Sequence, residues 1–272
     1  MAYILSGETL KDKNPTVVFT SGGENTSFPF SNVWSGITSK GFKSNSGSSP
    51  VVILQGVTGD FNAIGIHGTS GSGYTVSVHY SPDANVSSAS DSSWVEWSAN
   101  KAGSNTDGTS STLTVDGNRS SNLLINNASN TMQCIKLTFV NFSTTDVLNH
   151  VQVGNTTEID ISAPYNPPIF KVQKQTMRRN NKGLPLGSEL IDEPVKLRLN
   201  IRNQTEAEMK ALATQTFVNE LYKNPFMLAT SYDLTSETKK FAYLCTLDGT
   251  INQPRYRTST HMEWIINAVG YV

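Results

Sequence analysis

The four histidines are the first residues to consider for metal or acid–base chemistry: His67, His79, His150 and His261. No HExxH or HxH spacing and no Cys/His cluster accompanies them, so the sequence contains no zinc pattern. His67 and His79 flank a Gly/Ser-rich turn, and two imidazoles facing each other across a hairpin could begin a metal site. No third ligand is evident, so we expect ordinary strand histidines, no metal and no other cofactor.

Nucleophile and phosphate motifs are missing as well. The stretch GTSGSG (68–73) lacks the following helix and the Lys-Ser/Thr pair of a phosphate-binding loop. There is no GxSxG nucleophile elbow. A glycosidase needs two carboxylates across a cleft, and Asp or Glu beside Gly, Asn or Thr more often belongs to a turn. Turn chemistry also explains the oxygen-rich segment 104–118, the one candidate for calcium. We expect no enzyme; the carboxylates considered are Asp107, Asp116, Glu158 and Asp160.

Three tryptophans in the first half are candidate glycan contacts: Trp34, Trp94 and Trp97. An exposed tryptophan beside a polar loop can stack on a sugar ring. Trp94 and Trp97 are three residues apart, so in a strand they face opposite sides. At least one of them should therefore belong to the core.

The stretch KQTMRRNNKGLPLG (174–187) holds the one local basic cluster, Arg178, Arg179 and Lys182. It is bounded by Gly and Pro and is too polar for a core. It is either a solvated loop or a contact to an acidic neighbouring subunit. Long ordered loops usually have a function, so we name these three residues as candidate subunit contacts.

The elements that carry these residues are mostly strands. Apolar content is 37% and charged content 16%, both below globular averages. FNAIGIHGTSGSGYTVSVHYS (61–81) alternates apolar and polar residues on both sides of the GTSGSG turn, which predicts a hairpin in the core. About eight short strands with Gly/Ser/Asn breaks predict a β-sandwich or jelly roll in the first half.

The second half has another pattern. APYNPPIF (163–170) contains three prolines and predicts an extended linker. VKLRLNIRN then alternates, and TEAEMKALATQTFVNELYKNP predicts one main helix opened by a capping box of Thr205 and Glu208. Three further strands complete a small α+β domain. The formal charge changes from −5 to +4 at the same point, so we expect a β-sandwich domain at 1–165 and an α+β domain at 166–272.

Cysteines, charge and hydropathy narrow the setting. Cys134 and Cys245 each lie in an apolar run, which favours two free, buried thiols. The N-terminus is too short and too polar for a signal peptide, and there is no long apolar run. We therefore expect synthesis in a cytosol and no membrane partner. Neither half has the basic density of a nucleic-acid-binding domain.

The strand order resembles a known family. The stretch 61–81, then WVEWS and IKLTFVNFSTTDVLNHVQVG, is similar to the galactose-binding-like (discoidin-like) sandwich found in tailed-phage structural proteins. KLRLNIRNQTEAEMKALATQTFVNELYKNPFMLATSYD is similar to the strand–helix–strand unit of tail-tube-like and distal-tail proteins. The resemblance implies a non-catalytic virion protein at or near a tail tip. It also implies a ring of copies built by the second half, for which we consider sixfold order, and contacts with other phage tail proteins.

A second function stays open beside this one. The chain could be a carbohydrate-binding module for attachment to host-surface glycans. Exposure of at least one of the three tryptophans in a groove separates this hypothesis from a purely structural role.

Overall fold

Strands dominate the structure. A computed structural model describes residues 2–7, 9–35, 40–46, 49–97, 101–103, 112–115, 120–159, 170–171, 174–179, 185–192, 195–231 and 240–271. Within these residues, the strands form two eight-stranded sheets and one separate two-stranded hairpin. The elements in chain order are β1 (Ala2–Leu5), α1 (Thr9–Lys13), β2 (Thr16–Ser21), a 3₁₀ helix (Phe30–Trp34), β3 (Val51–Thr69), β4 (Tyr74–Ser81), β5 (Val95–Glu96), β6 (Lys101–Gly103), β7 (Thr112–Val115), β8 (Ser120–Val140), β9 (Val147–Gly154), β10 (Thr156–Ile159), β11 (Phe170–Lys171), β12 (Lys174–Arg179), β13 (Pro185–Asp192), β14 (Val195–Thr205), α2 (Glu206–Leu212), α3 (Gln215–Lys223), β15 (Phe226–Ser231), β16 (Lys240–Leu247), β17 (Arg255–Tyr256) and β18 (His261–Tyr271).

The two long strands β3 and β8 build both layers of the sandwich. The first part of β3 (51–55) pairs with β2 and with 134–138 of β8, while its last part (63–69) pairs with β9 and with 120–125 of β8. Register shifts separate the two parts, and Gly56 there has φ +86°, a conformation that favours glycine. The alternating apolar residues of both parts bury one cluster between the layers: Val52, Leu54, Ile64, Ile66, Val76, Val78, Leu124, Ile135, Leu137, Val151 and Val153.

The stretch 61–81 is not a hairpin, which corrects the sequence prediction. β3 pairs with β2, β8 and β9, and β4 pairs with β5, β7 and β8, so the two strands are not neighbours. The turn between them joins the two layers. Ser70 Oγ donates to Asp146 Oδ1 (2.6 Å) and accepts from the Gly73 N–H (2.8 Å). The turn is thus held by a distant loop rather than by pairing of its own strands.

The second sheet has the order β10-β1-β15-β16-β18-β14-β11, with β17 on the side of β18. The chain begins in this sheet at β1, builds the sandwich, and returns to it as β10 beside β1. The predicted boundary between residues 165 and 166 stays a prediction. Residues 2–5 and 156–159 nevertheless lie in the sheet of the second half, since β1 pairs with both β10 and β15.

Two helices cover one face of this sheet, where the sequence predicts a single one. The capping box is confirmed: Thr205 Oγ1 accepts from the Glu208 N–H, and the Glu208 carboxylate accepts from the Thr205 N–H. Helix α2 ends with Ala213 as its C-cap residue. Thr214 then caps α3, because its side chain accepts a hydrogen bond from the Phe217 N–H. The residues buried here include Leu197, Leu199, Ile201, Met209, Phe217, Leu221, Phe226, Leu228, Tyr243, Trp264 and Ile266.

The opposite face of the second sheet packs on the sandwich. A third buried cluster joins Tyr3, Leu5, Met227, Ala229, Ala242 and Leu244 to Ala63, Leu123 and Ile125. Gly65 permits this approach, since a Cβ there would overlap Met227 Sδ. The layers are thus sandwich, second sheet and helices, and the predicted class, mainly β with an α+β part, is confirmed.

Both cysteines are free and buried, as their apolar surroundings predict. Burial raises the pKa of the Cys245 thiol, so this sulfur is held as an inert apolar group. Among the described helices, none has the length and apolar content needed to span a bilayer.

Candidate functional site

Two of the three predicted glycan contacts lie in the core. Trp97 is 0% exposed and meets Tyr80 edge-on, with ring centroids 5.9 Å apart. Trp34 is 9% exposed and packs on Phe30 at 5.9 Å. Neither ring can stack on a sugar, so both are withdrawn as candidate contacts. Their faces are used by aromatic neighbours within the sandwich.

Trp94 is the one that stays partly exposed. It is the last residue of the 82–94 loop, which connects β4 to β5. Short side-chain turns shape this loop: the Asp83 N–H donates to Ser81 Oγ (3.1 Å) and the Ser93 N–H donates to Asp91 Oδ1 (2.9 Å). The second of these bonds lowers the pKa of Asp91. Such local bonds are why Ser and Asp favour turns.

Two contacts hold the indole ring of Trp94, one at its N–H edge and one on a ring face. Its Nε1–H donates to the Ser88 carbonyl (2.8 Å). Lys136 Nζ lies over the ring, 4.9 Å from the centroid, and donates to the Ala89 carbonyl at 3.1 Å. The 88–94 loop and a lysine of β8 thus hold the ring in one orientation.

Lys136 is a candidate that the sequence prediction missed. Its neighbours Ile135 and Leu137 point into the core, so alternation along β8 places Lys136 on the outer face. It is nevertheless only 8% exposed, because the loop covers it. Burial lowers the pKa of Lys136. No carboxylate forms an ion pair with it among the described residues, and its position opposite His79 was not readable without the strand register.

His79 and Glu96 extend this polar face. His79 lies between Lys136 on β8 and Glu96 on β5 in the strand register. Burial lowers the pKa of His79, the Lys136 charge lowers it further, and Glu96 opposes them. Within the described part of the chain, His79 Nδ1 is buried without a hydrogen-bond partner. We define the loop site as Ser88, Trp94, Lys136, His79 and Glu96.

His67 and His79 do not face each other across a hairpin. His67 on β3 pairs with His150 on β9, in the layer that lacks His79. His67 Nδ1 is 2.8 Å from Ser121 Oγ, which accepts from the Leu244 N–H at 3.0 Å. His67 therefore belongs to the packing between the two sheets. In the ranges the structure describes, there is no group of three His, Cys, Asp or Glu side chains that could hold a metal ion.

Of the four carboxylates considered, only Glu158 lies in the described part of the chain. Glu158 is exposed on β10, where the Tyr3 hydroxyl donates to it at 3.4 Å. Asp107, Asp116 and Asp160 lie outside the described residues. Most of the calcium candidate segment 104–118 lies outside them too.

The basic cluster is only partly described. Arg178 and Arg179 are on β12, which pairs with β13 in the separate hairpin. Lys182 lies outside the described residues. Their role as subunit contacts stays a prediction.

One open sheet edge was not predicted. β14 pairs with β18 along its length, but β11 covers only Val195 and Lys196 on the other side. Among the described residues, nothing pairs with 197–205 on that edge. Arg198 is exposed there, while the exposed Lys196 pairs with Asp248 at 3.7 Å. The other end of the sheet is β10, with the exposed Glu158.

Comparison with known proteins gives structural similarity only. No family model matches the chain, and no curated protein matches its sequence. A CBM32 module of Clostridium perfringens (CpGH89CBM32-6) is similar with TM-score 0.34 and 16% identity over 54% of this chain and 96% of that one. Chitosan-binding module 1 of a Paenibacillus chitosanase/glucanase gives 0.37 and 15% over 55% and 98%. Reduced XRCC1, solved bound to the DNA polymerase β catalytic domain, gives 0.37 and 10% over 51% and 95%.

Proposed function

We propose that this chain is a non-catalytic glycan-binding protein that contacts a sugar ring through Trp94. The carrying observation is that Trp94, alone among the three candidate tryptophans, keeps part of its ring exposed while its edge and orientation are fixed. A pre-oriented aromatic ring loses little freedom on binding. Its flat apolar face suits the C–H side of a sugar.

Polar groups around the ring supply what a sugar's hydroxyls need. The 88–94 loop presents Ser88 and Ser90, which bond to each other at 3.0 Å and are exposed. The carboxylate of the exposed Glu96 lies on the neighbouring strand. Hydroxyl and carboxylate groups at the rim of an aromatic surface fix the orientation of a ligand. Binding of this kind involves no chemical step.

The test is a glycan-array screen followed by titration of the strongest ligand by isothermal calorimetry. Wild-type protein should bind a subset of glycans, and Trp94→Ala should lower affinity at least about tenfold, the loss of one stacked ring. Glu96→Gln keeps the size of the side chain and removes its charge, so it measures the contribution of the carboxylate charge apart from that of ring stacking. Equal affinity of wild type and Trp94→Ala, or no glycan bound by the array, would reject the proposal.

A second candidate function is the virion structural role, and the open β14 edge favours it. Two β14 edges paired antiparallel around Asn200 would set Arg198 against Arg202, which is repulsive. Pairing β14 of one copy with β10 of the next would instead bring the exposed Arg198 to the strand that carries the exposed Glu158. Such a head-to-tail contact closes into a ring or continues as a filament, as expected of a tail-tip protein with copies in a ring.

Negative-stain images and native mass spectrometry at high concentration test this candidate. Rings should form, and Arg198→Glu should return the protein to monomers. The double variant Arg198→Glu/Glu158→Lys should restore assembly by reversing both charges. A wild-type chain that stays monomeric, alone and with neighbouring tail proteins, counts against this role and leaves the glycan proposal untouched.

A further inference from the structure

A cleft of about 440 Å³ lies on the helix-covered face of the second sheet and shares no residue with the loop site. Met262 and Trp264 of β18 line its sheet side. Met209 of α2 and Val218 of α3 form one wall, and the 251–254 segment forms the other. The lining thus combines these apolar side chains with the polar Lys210, Gln215, Asn252 and Gln253. Its volume is typical of small-molecule sites.

Hydrogen bonds fix the 251–254 segment to β18 and to α3. Trp264 Nε1–H donates to the Asn252 carbonyl (2.7 Å), and the Ile251 N–H donates to the Tyr222 hydroxyl of α3 (2.6 Å). At the other end, Tyr256 is hydrogen-bonded to Glu206 of α2. These bonds tie the segment beside the cleft to β18, α3 and α2.

The charges at the rim are neutralised within the chain. Lys210 Nζ is 2.6 Å from Glu206 Oε1, and Arg255 Nη2 is 2.7 Å from Glu263 Oε1. The side-chain amides of Asn252 and Gln253, by contrast, make no hydrogen bond with other described residues. The available contacts are therefore apolar surface, methionine sulfur and neutral amides.

We propose that this cleft binds a small, uncharged, mainly apolar molecule whose polar group meets the amides of Asn252 and Gln253. The paired rim charges leave little net charge to attract an ionic ligand. This site is separate from the glycan contact at Trp94, and either can exist without the other.

The probe is N-phenyl-1-naphthylamine, which is uncharged and fluoresces in apolar surroundings. It should bind saturably to the full chain. Its sulfonated relative, 8-anilinonaphthalene-1-sulfonate, should bind at least about tenfold more weakly. Methyl-¹³C labelling of the six methionines supplies the location: signals of Met209 and Met262 should shift, and that of Met132, buried in the sandwich, should not.

Variants on one helix complete the test. Val218→Trp fills the cleft and should weaken probe binding at least about tenfold, whereas Lys223→Trp adds the same ring at an exposed position and should leave binding unchanged. If Val218→Trp does not fold, Ala213→Leu takes its place as a smaller filling substitution in the lining. Absence of saturable binding, unshifted Met209 and Met262 signals, tight sulfonate binding, or insensitivity to the filling variant would each overturn the proposal.

Discussion

The Lys136 ammonium nitrogen lies 4.9 Å from the centre of the Trp94 ring and donates to the Ala89 carbonyl in the loop that carries that ring. A strand of the sandwich therefore sets the orientation of a loop side chain. A lysine over an aromatic face contributes about 0.5–2 kcal/mol, more as the pair is desolvated. The contact orders the loop before any ligand arrives, which is how a loop can present a fixed binding surface.

Removing the charge of Lys136 should weaken glycan binding without unfolding the sandwich. Lys136→Met keeps the apolar stem but loses the cation–π contact and the bond to Ala89, so the Trp94 ring gains freedom. We expect affinity to fall about threefold to tenfold by calorimetry. The matched control is Lys43→Met, because Lys43 Nζ lies 4.7 Å over Phe28 in a comparable contact. Equal losses in both variants would contradict a role specific to the loop site.

The tryptophans should separate stability from binding. Trp97→Ala removes a fully buried ring and should lower the free energy of unfolding by about 3–5 kcal/mol. Trp94→Ala removes a partly exposed ring with its lysine contact and its bond to Ser88, and should cost only about 1–2 kcal/mol. Urea denaturation followed by circular dichroism measures both. A Trp94→Ala variant as unstable as Trp97→Ala would mean that Trp94 is a core residue and not a contact.

Stability should fall at low pH because of His150. Burial is the main cause that lowers the pKa of His150 from 6.5 to about 4, against smaller raising effects of hydrogen bonds with Gln152 and Val33. The unfolded state therefore binds the proton first, so the stabilisation is complete above about pH 6.5 and is lost as the pH falls towards 4. The loss amounts to about 3 kcal/mol, taking 1.36 kcal/mol per pKa unit.

Denaturation curves at a series of pH values measure this dependence. His150→Gln should flatten the curve over that window, whatever its effect on absolute stability. His261→Gln changes a partly exposed histidine and should keep the wild-type slope. A His150→Gln variant with the wild-type slope would show that other groups cause the acid sensitivity.

The buried contact between sandwich and second sheet should depend on Ser121. Ser121→Ala leaves the Leu244 N–H without its acceptor and should cost about 1–3 kcal/mol. Ser77→Ala is the control, because Ser77 is only partly buried and its bond to Thr112 is 3.4 Å long. Hydrogen exchange of the Leu244 amide measures the local effect. Exchange that is unchanged in Ser121→Ala would show that the amide is protected without this bond.

Local patterns in the sequence predicted the elements whose signals are local. The alternation in YTVSVHYS coincides with β4, Tyr74–Ser81, and the Thr205–Glu208 spacing marks the start of α2. Alternation also required that Trp94 or Trp97 be buried, but it could not decide which. That choice depends on the 82–94 loop, whose path is set by turn bonds rather than by periodicity.

Long-range relationships were not predictable in the same way. β1 pairs with β10 and β15, more than 150 residues further along the chain, and no composition shift marks that pairing. The 61–81 stretch looked like a hairpin because its turn residues suit one, yet each strand has better partners elsewhere. Lys136 appeared as an ordinary outward lysine until the register set it beside His79 and under Trp94.

The most direct test of the central claim is an NMR titration of the indole N–H signals. The chain has four tryptophans, so four Nε1–H cross-peaks report on Trp34, Trp94, Trp97 and Trp264 separately. Adding the strongest glycan from the array should shift the Trp94 cross-peak in a saturable way and leave the three buried ones in place. A glycan that binds but shifts another tryptophan, or none, would contradict the account.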